Sequence, residues 1–269
     1  MAEAAGDRER GAYIALLAGC KACHTDIKGR GAPYAGGRAL SSAYGTFHVP
    51  NITPDRETGI GAWSEADFVR AMTRGIAPDG SHYFPAFPYT SYTRMKGRDL
   101  IDLKAYLDSL PAVRNRVRSH DLRFPYNMRF TLGGWKMLFF DSGPYRNTPE
   151  KSASWNRGAY IVNGPAHCGE CHTARNFFGA TGEEFALAGT RKGPDGKRVP
   201  NITSHRKQGI GNWKADDIVS LLSDGTLPDG DTVGGAMADV VEHGSAGWTE
   251  ADRRAVAEYL LSMPPRRTP

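Results

Sequence analysis

Cys20-Lys21-Ala22-Cys23-His24 has a counterpart later in the chain, Cys168-Gly169-Glu170-Cys171-His172. Each stretch is a pair of cysteines that are separated by two residues and followed directly by a histidine. The chain has four cysteines in all, so none is left over. A single Cys-x-x-Cys would suit a redox dithiol, a zinc site or a disulfide equally well. Two copies, each with its adjacent histidine, favour a different chemistry.

Cys-x-x-Cys-His is the attachment pattern of c-type haem. The two intervening residues place the thiols one helical turn apart, where they can reach the two vinyl groups on one edge of a porphyrin. The imidazole that follows then points at the iron as an axial ligand. We therefore predict two covalently bound haem c groups. The attachment residues are Cys20, Cys23, Cys168 and Cys171, and the axial ligands are His24 and His172.

The composition is that of an ordinary soluble globular protein. Of the 269 residues, 40% are hydrophobic and 23% are charged, which excludes a disordered chain, a coiled coil and a collagen. No apolar run approaches the roughly 18 residues of a membrane-spanning helix. The net charge of +5 is too small to indicate nucleic-acid binding. We expect no nucleic-acid partner and no transmembrane segment.

An internal repeat extends well beyond the cysteine motifs. Three further stretches recur in the same order, and they are Arg-Gly-Ala-Tyr-Ile (10–14 and 157–161), Pro-Asn-Ile-Thr (50–53 and 200–203) and Gly-Ile-Gly-x-Trp (59–63 and 209–213). The repeat predicts an internal duplication with one haem in each copy. We assign residues 1–111 to the first domain, 112–156 to a linker and 157–269 to the second domain.

Helix signals dominate both copies. The first helix of each copy is expected to end at its Cys-x-x-Cys-His motif. A capping box at Ser64 and Asp67 predicts a second helix, which Gly75 ends. A last helix carries an apolar face of Leu100, Leu103, Leu107 and Leu110. In the second copy the equivalent helices are expected at residues 214–224 and from Thr249 to Pro264. Since no strand alternation is evident, we predict an all-α fold.

The linker has two halves of different character. Its first half is basic and its second half is apolar, with Arg114, Arg116, Arg118, Arg123 and Arg129 followed by Trp135, Met137, Leu138, Phe139 and Phe140. Either the segment packs across the domains, or it forms a docking surface for another subunit, because apolar patches rimmed by charge often mark interfaces.

A low-spin haem iron needs a second axial ligand, and methionine is the usual partner of histidine in electron carriers. In the second copy Met237 is the clear candidate, since Met263 lies at the end of the last helix. In the first copy the aligned residue is Phe87, which cannot bind iron. The residues leave four alternatives there: His82, Met95, Met72, which is expected to pack in the core, or an open site.

Taken together, these motifs resemble the bacterial dihaem and trihaem cytochrome c subunits that accept electrons for periplasmic alcohol, gluconate and aldehyde dehydrogenases. The resemblance covers residues 10–264, including the stretches Tyr83–Met95 and Gly234–Met237. It implies two tandem class I-like cytochrome c domains. The third haem domain and the membrane-anchoring helix of some relatives are expected to be absent.

The resemblance also implies roles for individual residues. Better-known members of the family have a methionine ligand at the position of Phe87, so Met95 resembles a compensating ligand. The backbone carbonyls of Pro50 and Pro200 would accept the Nδ1 proton of the axial histidines. Two repeated tryptophans would pack at the haem edges, and these are Trp63 and Trp213.

The function that follows from the resemblance is electron transfer from a periplasmic dehydrogenase subunit to a terminal oxidase or a soluble cytochrome, without enzymatic activity of its own. A dihaem peroxidase or oxidase with an open first haem is the alternative. Haem attachment takes place outside the bacterial cytoplasm, so we expect a periplasmic protein. A signal peptide is expected but not found at residues 1–7. Membrane association would then be peripheral and run through a partner.

Overall fold

A pair of crossed helices organises each half of the computed structural model, which describes residues 6–194 and 196–269. The chain divides into two compact units, with the boundary between Pro144 and Tyr145. Most of the segment assigned to a linker, residues 112–144, belongs to the first unit in this division. No helix within the described ranges has both the length and the apolar character needed to cross a membrane.

The first unit is built on six helices in its described part. In chain order they are α1 (Arg8–Leu17), α2 (Cys20–Cys23), α3 (Glu65–Arg74), α4 (Tyr89–Tyr92), α5 (Gly97–Asp108) and α6 (Leu132–Phe139), the last preceded by a 3-10 turn at Arg129–Thr131. α1 packs along α5, and α3 packs on both α4 and α5. The predicted capping box at Ser64 and Asp67 is present, and Gly75 ends α3 in the left-handed region at φ +59°, so this helix is confirmed.

The core of the first unit is a cluster of buried apolar side chains between these helices. The leucines at 100, 103 and 107 are almost completely buried on one face of α5, as predicted, whereas Leu110 lies beyond the helix and is only partly buried. Ile14 of α1, Phe68 and Met72 of α3 and Met95 complete the cluster. Met72 therefore packs in the core, as the sequence indicates.

A small antiparallel sheet in the first unit corrects the all-α prediction. Its strands are β1 (Ala39–Ser42), β2 (Gly45–His48) and β3 (Asp121–Leu122), in the order β1-β2-β3. Strands of two to four residues are too short to leave a pattern of alternating polarity, which is why the sequence did not reveal them. The protein is helix-rich, but its first unit is not free of strands.

The second unit is described by five helices. They are α7 (Ala153–Asn163), α8 (Gly169–His172), α9 (Ala215–Asp224), α10 (Gly235–His243) and α11 (Glu250–Ser262), and short 3-10 turns lie at Glu183–Phe185 and Ser245–Gly247. α11 packs on α7 and on α9. Thr249 caps α11 by accepting a hydrogen bond from the backbone N–H of Asp252 (3.2 Å), and Gly225 ends α9, as predicted.

The repeated Arg-Gly pair explains how α1 and α5 in the first unit, and α7 and α11 in the second, approach so closely. A Cβ atom at Gly11 would overlap the carbonyl oxygen of Asp102 in α5, and one at Gly158 would overlap that of Ala255 in α11. Only glycine allows the two backbones to touch at these crossings.

The arginine beside each glycine forms ion pairs between the same two helices. Arg10 contacts the carboxylates of Asp99 (2.8 Å) and Asp102 (3.2 Å). Arg157 makes a two-pronged contact with Asp252, at 2.8 and 2.7 Å. Such paired geometry gives direction as well as attraction, so the repeated motif fixes how the helices cross.

Replacing Gly158 by alanine is expected to destabilise the second unit by about 2 kcal/mol or more, because the new methyl group meets rigid backbone rather than a movable side chain. Urea unfolding of the haem-loaded protein, followed by circular dichroism, measures the change. Gly134→Ala is the matched control, since nothing lies within 4 Å of a Cβ at that helical position. The control is expected to be neutral or stabilising by up to about 1 kcal/mol. Equal stabilities for the two variants would contradict the proposed role of the crossing.

Candidate haem-binding sites

Each cysteine pair runs from the interior of its unit to the surface. Cys20 is buried and Cys23 is exposed, while Cys168 is half-buried and Cys171 is exposed. Residues three apart on a helix share a face, so both thiols of a pair are available to one group. All four cysteines lie in the described ranges, and none forms a disulfide. Burial raises the pKa of the Cys20 and Cys168 thiols to about 12, which keeps both protonated.

The chain enters each motif through a sharp turn rather than a continuous helix. α1 ends at Leu17, and Gly19 adopts the left-handed conformation at φ +60° immediately before Cys20. In the second unit the turn follows α7, and His167 takes a φ of +42° just before Cys168. The first helix of each unit was expected to end at the motif, and it ends a few residues before it, at Leu17 and at Asn163, with a turn between helix and cysteines.

The two histidines are held by the same hydrogen bond. The Nδ1 atom of His24 lies 2.7 Å from the carbonyl oxygen of Pro50, and that of His172 lies 2.8 Å from the carbonyl oxygen of Pro200. A carbonyl oxygen only accepts, so Nδ1 carries the proton and donates it. Nε2 of each ring is then left with a free lone pair, which is the form of histidine that binds a metal ion.

The electrostatic surroundings also keep both rings neutral. Burial lowers the pKa of His24 to about 4, against the opposing effect of its hydrogen bond to Pro50. Burial likewise lowers the pKa of His172, with the bond to Pro200 acting in the opposite direction. Charging a half-buried imidazole costs hydration that the protein does not replace.

The Pro-Asn-Ile-Thr loops hold the accepting carbonyls in place. Asn51 Oδ1 accepts from the backbone N–H (2.9 Å) and the hydroxyl (2.8 Å) of Thr53, and Asn201 does the same for Thr203 at 2.8 and 2.7 Å. Their amide groups donate outward, to Val113 O at 2.7 Å and to Arg266 O at 2.8 Å. The asparagine and threonine side chains of both loops are buried, so these bonds are protected from competing water.

A glycine also holds the backbone of each histidine. We call the histidine, the proline carbonyl that accepts from its ring and this glycine the histidine clamp. Gly36 donates to the carbonyl of His24 (2.8 Å) and Gly189 to that of His172 (2.7 Å), and both have a φ of +74°. A Cβ at Gly36 would lie 2.6 Å from the carbonyl oxygen of Pro50, which is too close for any side chain. Sequence reasoning missed these positions, although Ala-Gly recurs at 35–36 and 188–189.

The candidates for the second axial ligand of each haem iron have different surroundings. Met95 is 1% exposed and belongs to the same apolar cluster as Cys20. The ring of His82 is engaged elsewhere, since its Nδ1 lies 2.9 Å from Nζ of Lys136. Phe87 packs edge-on against neighbouring aromatic rings, with centroids 5.4 to 6.4 Å apart. In the second unit Met237 is half-buried on α10.

The repeated tryptophans follow tight turns that are tied to the clamp loops. Ile60 donates its backbone N–H to Thr53 O (3.0 Å), and Ile210 donates to Thr203 O (2.9 Å). Trp63 is half-buried against the core cluster, and Trp213 is also half-buried. Their packing at a haem edge stays a prediction.

These residues fit a covalently attached haem. Each unit supplies two thiols one helical turn apart and a neutral imidazole with Nε2 available, and the first unit adds a buried thioether. Neither site depends on a carboxylate. The donor set is the one that haem c uses. The protein's own hydrogen bonds hold the histidines of this set in position.

Comparison with known proteins gives the family. The "Cytochrome c" family model matches residues 9–111. The chain is 43% identical over 264 residues to "Diheme cytochrome c-type" of Cereibacter sphaeroides, an alignment that covers 96% of this chain and 86% of that protein. It is 39% identical both to "Alcohol dehydrogenase (quinone), cytochrome c subunit" of Gluconobacter oxydans and to "Fructose dehydrogenase cytochrome subunit" of Gluconobacter japonicus, each over 95% of this chain.

The chain spans only 54% and 52% of the lengths of the last two relatives. The sequence identity of 39 to 43% nevertheless extends over nearly the whole of this chain. It confirms the family resemblance inferred from the motifs. The family model and the names of these relatives support the electron-transfer role of a cytochrome c. The chain belongs to the dihaem cytochrome c family and carries two covalently bound haem c groups.

Proposed function

We propose that the protein takes electrons singly from a periplasmic dehydrogenase subunit and passes them through its two haems to a terminal oxidase or a soluble cytochrome. The observation that carries this proposal is that both units build the same histidine clamp, with Nδ1 to proline distances of 2.7 and 2.8 Å. Two relatives named as cytochrome subunits of dehydrogenases support a dehydrogenase as the donor. The periplasmic location follows from the thioether chemistry of haem attachment.

The proposed attachment residues and axial histidines are those of the two motifs. The thiols of each pair would form the thioether bonds, and Nε2 of each histidine would bind iron. Each Nδ1–H would keep its bond to the proline carbonyl, which orients the ring and raises its basicity. The complete set is Cys20, Cys23 and His24 in the first unit and Cys168, Cys171 and His172 in the second.

We assign the remaining axial positions to Met95 and Met237. Met95 lies in the cluster that also contains Cys20, and a turn in which its N–H donates to Tyr92 O (2.9 Å) fixes its backbone. His82 is the weaker candidate because Lys136 already donates to its Nδ1. A thioether ligand raises the reduction potential of a haem relative to a second imidazole.

The chain's own contribution is to hold the proposed iron ligands in position. Haem iron supplies one-electron chemistry when it is bound. Around it, the hydrogen bonds from the histidine rings to the proline carbonyls restrict the movement of the axial histidines. A ligand set that stays in place between oxidation states keeps the energetic cost of each electron step low, which suits a carrier with no substrate to position.

The duplication is also a proposal. Four features have counterparts in both units: the Arg-Gly helix crossing, the histidine clamp, the Asn-Thr loop and the glycine behind the histidine. Such detailed agreement supports two tandem class I-like cytochrome c domains at residues 1–111 and 157–269, joined by the segment 112–156. We expect Trp63 and Trp213 to pack at equivalent haem edges.

Stopped-flow mixing tests the function. The fully reduced protein is expected to transfer both of its electrons to a ferric soluble cytochrome c and to show no sustained turnover of hydrogen peroxide. A dihaem peroxidase or oxidase is the alternative, since Phe87 stands where the second copy has a methionine. Sustained peroxide turnover by the wild-type protein would favour that enzyme and contradict the carrier.

Replacing Met95 by alanine tests the first axial assignment. The ferric variant is expected to lose half of the far-red sulfur-to-iron charge-transfer absorption and to gain a high-spin fraction, because one of two iron–sulfur bonds is removed. Met72→Leu is the matched control, as Met72 is buried in the same cluster and is assigned no ligand role. An unchanged far-red band in Met95→Ala would refute the assignment. The same loss in the control would refute it as well.

A further inference from the structure

α6 is attached firmly to the first unit by one of its faces. Leu132 is buried, and the ring of Phe140 packs edge-on against Tyr89 at 5.2 Å. Nζ of Lys136 donates to the carbonyl oxygens of Arg74 and Gly75, at 2.7 Å each, and so caps the C-terminus of α3. The helix is therefore a fixed part of the surface.

The opposite face of the same segment is apolar and exposed. Phe130, Met137 and Leu138 have exposed fractions of 80%, 89% and 77%. Met137 and Leu138 are neighbours in α6, and Phe130 lies seven and eight positions before them, in the 3-10 turn that leads into the helix. Phe124, just upstream, is also largely exposed. Large apolar side chains exposed together on a folded unit indicate a contact surface.

Positive charge predominates around this face, although the exposed carboxylate of Asp121 directly precedes it. From Leu122 to Phe140 the chain contains Arg123, Arg129 and Lys136 and no acidic residue. Arg123 and Arg129 are exposed, and the guanidinium of Arg129 also donates to the carbonyl oxygen of His82, at 3.0 and 2.9 Å. The next carboxylate, Asp141, is already paired with Arg94 at 2.6 Å. A partner of this face is therefore expected to present apolar groups together with negative charge.

An anionic phospholipid surface supplies both at once. Exposed phenylalanine, leucine and methionine side chains can enter the acyl boundary of a bilayer, while arginines pair with headgroup phosphates. Aromatic residues that favour the interface flank the face, with Tyr126 42% exposed and Trp135 half-buried. We propose that the face formed by Phe130, Met137 and Leu138 binds an anionic lipid bilayer directly.

This inference goes beyond an association that runs through a partner, and it does not depend on the electron donor. Lys136 bonds both to the end of α3 and to His82. Binding through α6 therefore brings the first unit itself to the lipid surface. The contact is peripheral: three side chains insert into the surface of the bilayer.

Vesicle flotation of the purified haem-loaded protein tests the proposal. The probes are neutral phosphatidylcholine vesicles and vesicles in which part of the lipid is replaced by phosphatidylglycerol. Wild-type protein is expected to float with the anionic vesicles and much less with the neutral ones, and added salt should weaken the binding. The variant Phe130→Ser/Met137→Ser/Leu138→Ser is expected to bind anionic vesicles at least tenfold more weakly, with an unchanged haem spectrum.

The matched control is Phe177→Ser/Phe178→Ser, which removes an equally exposed aromatic pair from the second unit (82% and 62% exposed). It is expected to bind like the wild type. Failure of the wild type to bind anionic vesicles would overturn the proposal, and so would equal binding by the triple variant. A wild-type dimer in sedimentation that the triple variant abolishes would assign the face to a second copy of this chain and refute the lipid contact.

Discussion

The hydrogen bond from a histidine ring to a proline carbonyl is the contact on which each unit depends. It fixes the tautomer, since Nδ1 must carry the proton, and so leaves Nε2 available. The surrounding loop serves this one bond. Buried Asn51 and Asn201 lock the residues after the prolines, and Gly36 and Gly189 hold the backbone of the histidines. The asparagine and threonine side chains that hold the proline loops are buried, so the bonds within these loops are protected from competing water.

The helix crossings connect this clamp to the rest of each unit. Close approach at Gly11 and Gly158 sets how α1 lies on α5 and how α7 lies on α11. The short turn that follows α1 or α7 then positions the two thiols of the cysteine motif in each unit. In the first unit the same core contains Cys20 and Met95, so packing brings an attachment residue and a proposed axial ligand together. Burial also lowers the pKa of both motif histidines, which favours the neutral ring that a metal requires.

The sequence was most informative where chemistry demands fixed residue types at fixed spacing. The Ser64 capping box and the leucine face of α5 predicted what is observed, and the cysteine motifs predicted the family to which the chain belongs. Three features escaped it. The strands at residues 39–48 are too short to show alternation. The role of Gly36 is visible only once Pro50 is seen against it. The attachment of α6 depends on a lysine capping a distant helix end, a contact that no local pattern encodes.

The two Nδ1–H groups of the histidine clamps can be observed directly. Nuclear magnetic resonance of the reduced, diamagnetic protein with ¹⁵N-labelled histidine reports the protonation and exchange of each ring nitrogen. We predict two histidines with a slowly exchanging Nδ1–H and an unprotonated Nε2, one from each unit. A proton on Nε2 of either His24 or His172, or rapid exchange at either Nδ1, would contradict the clamp as the basis of both haem sites.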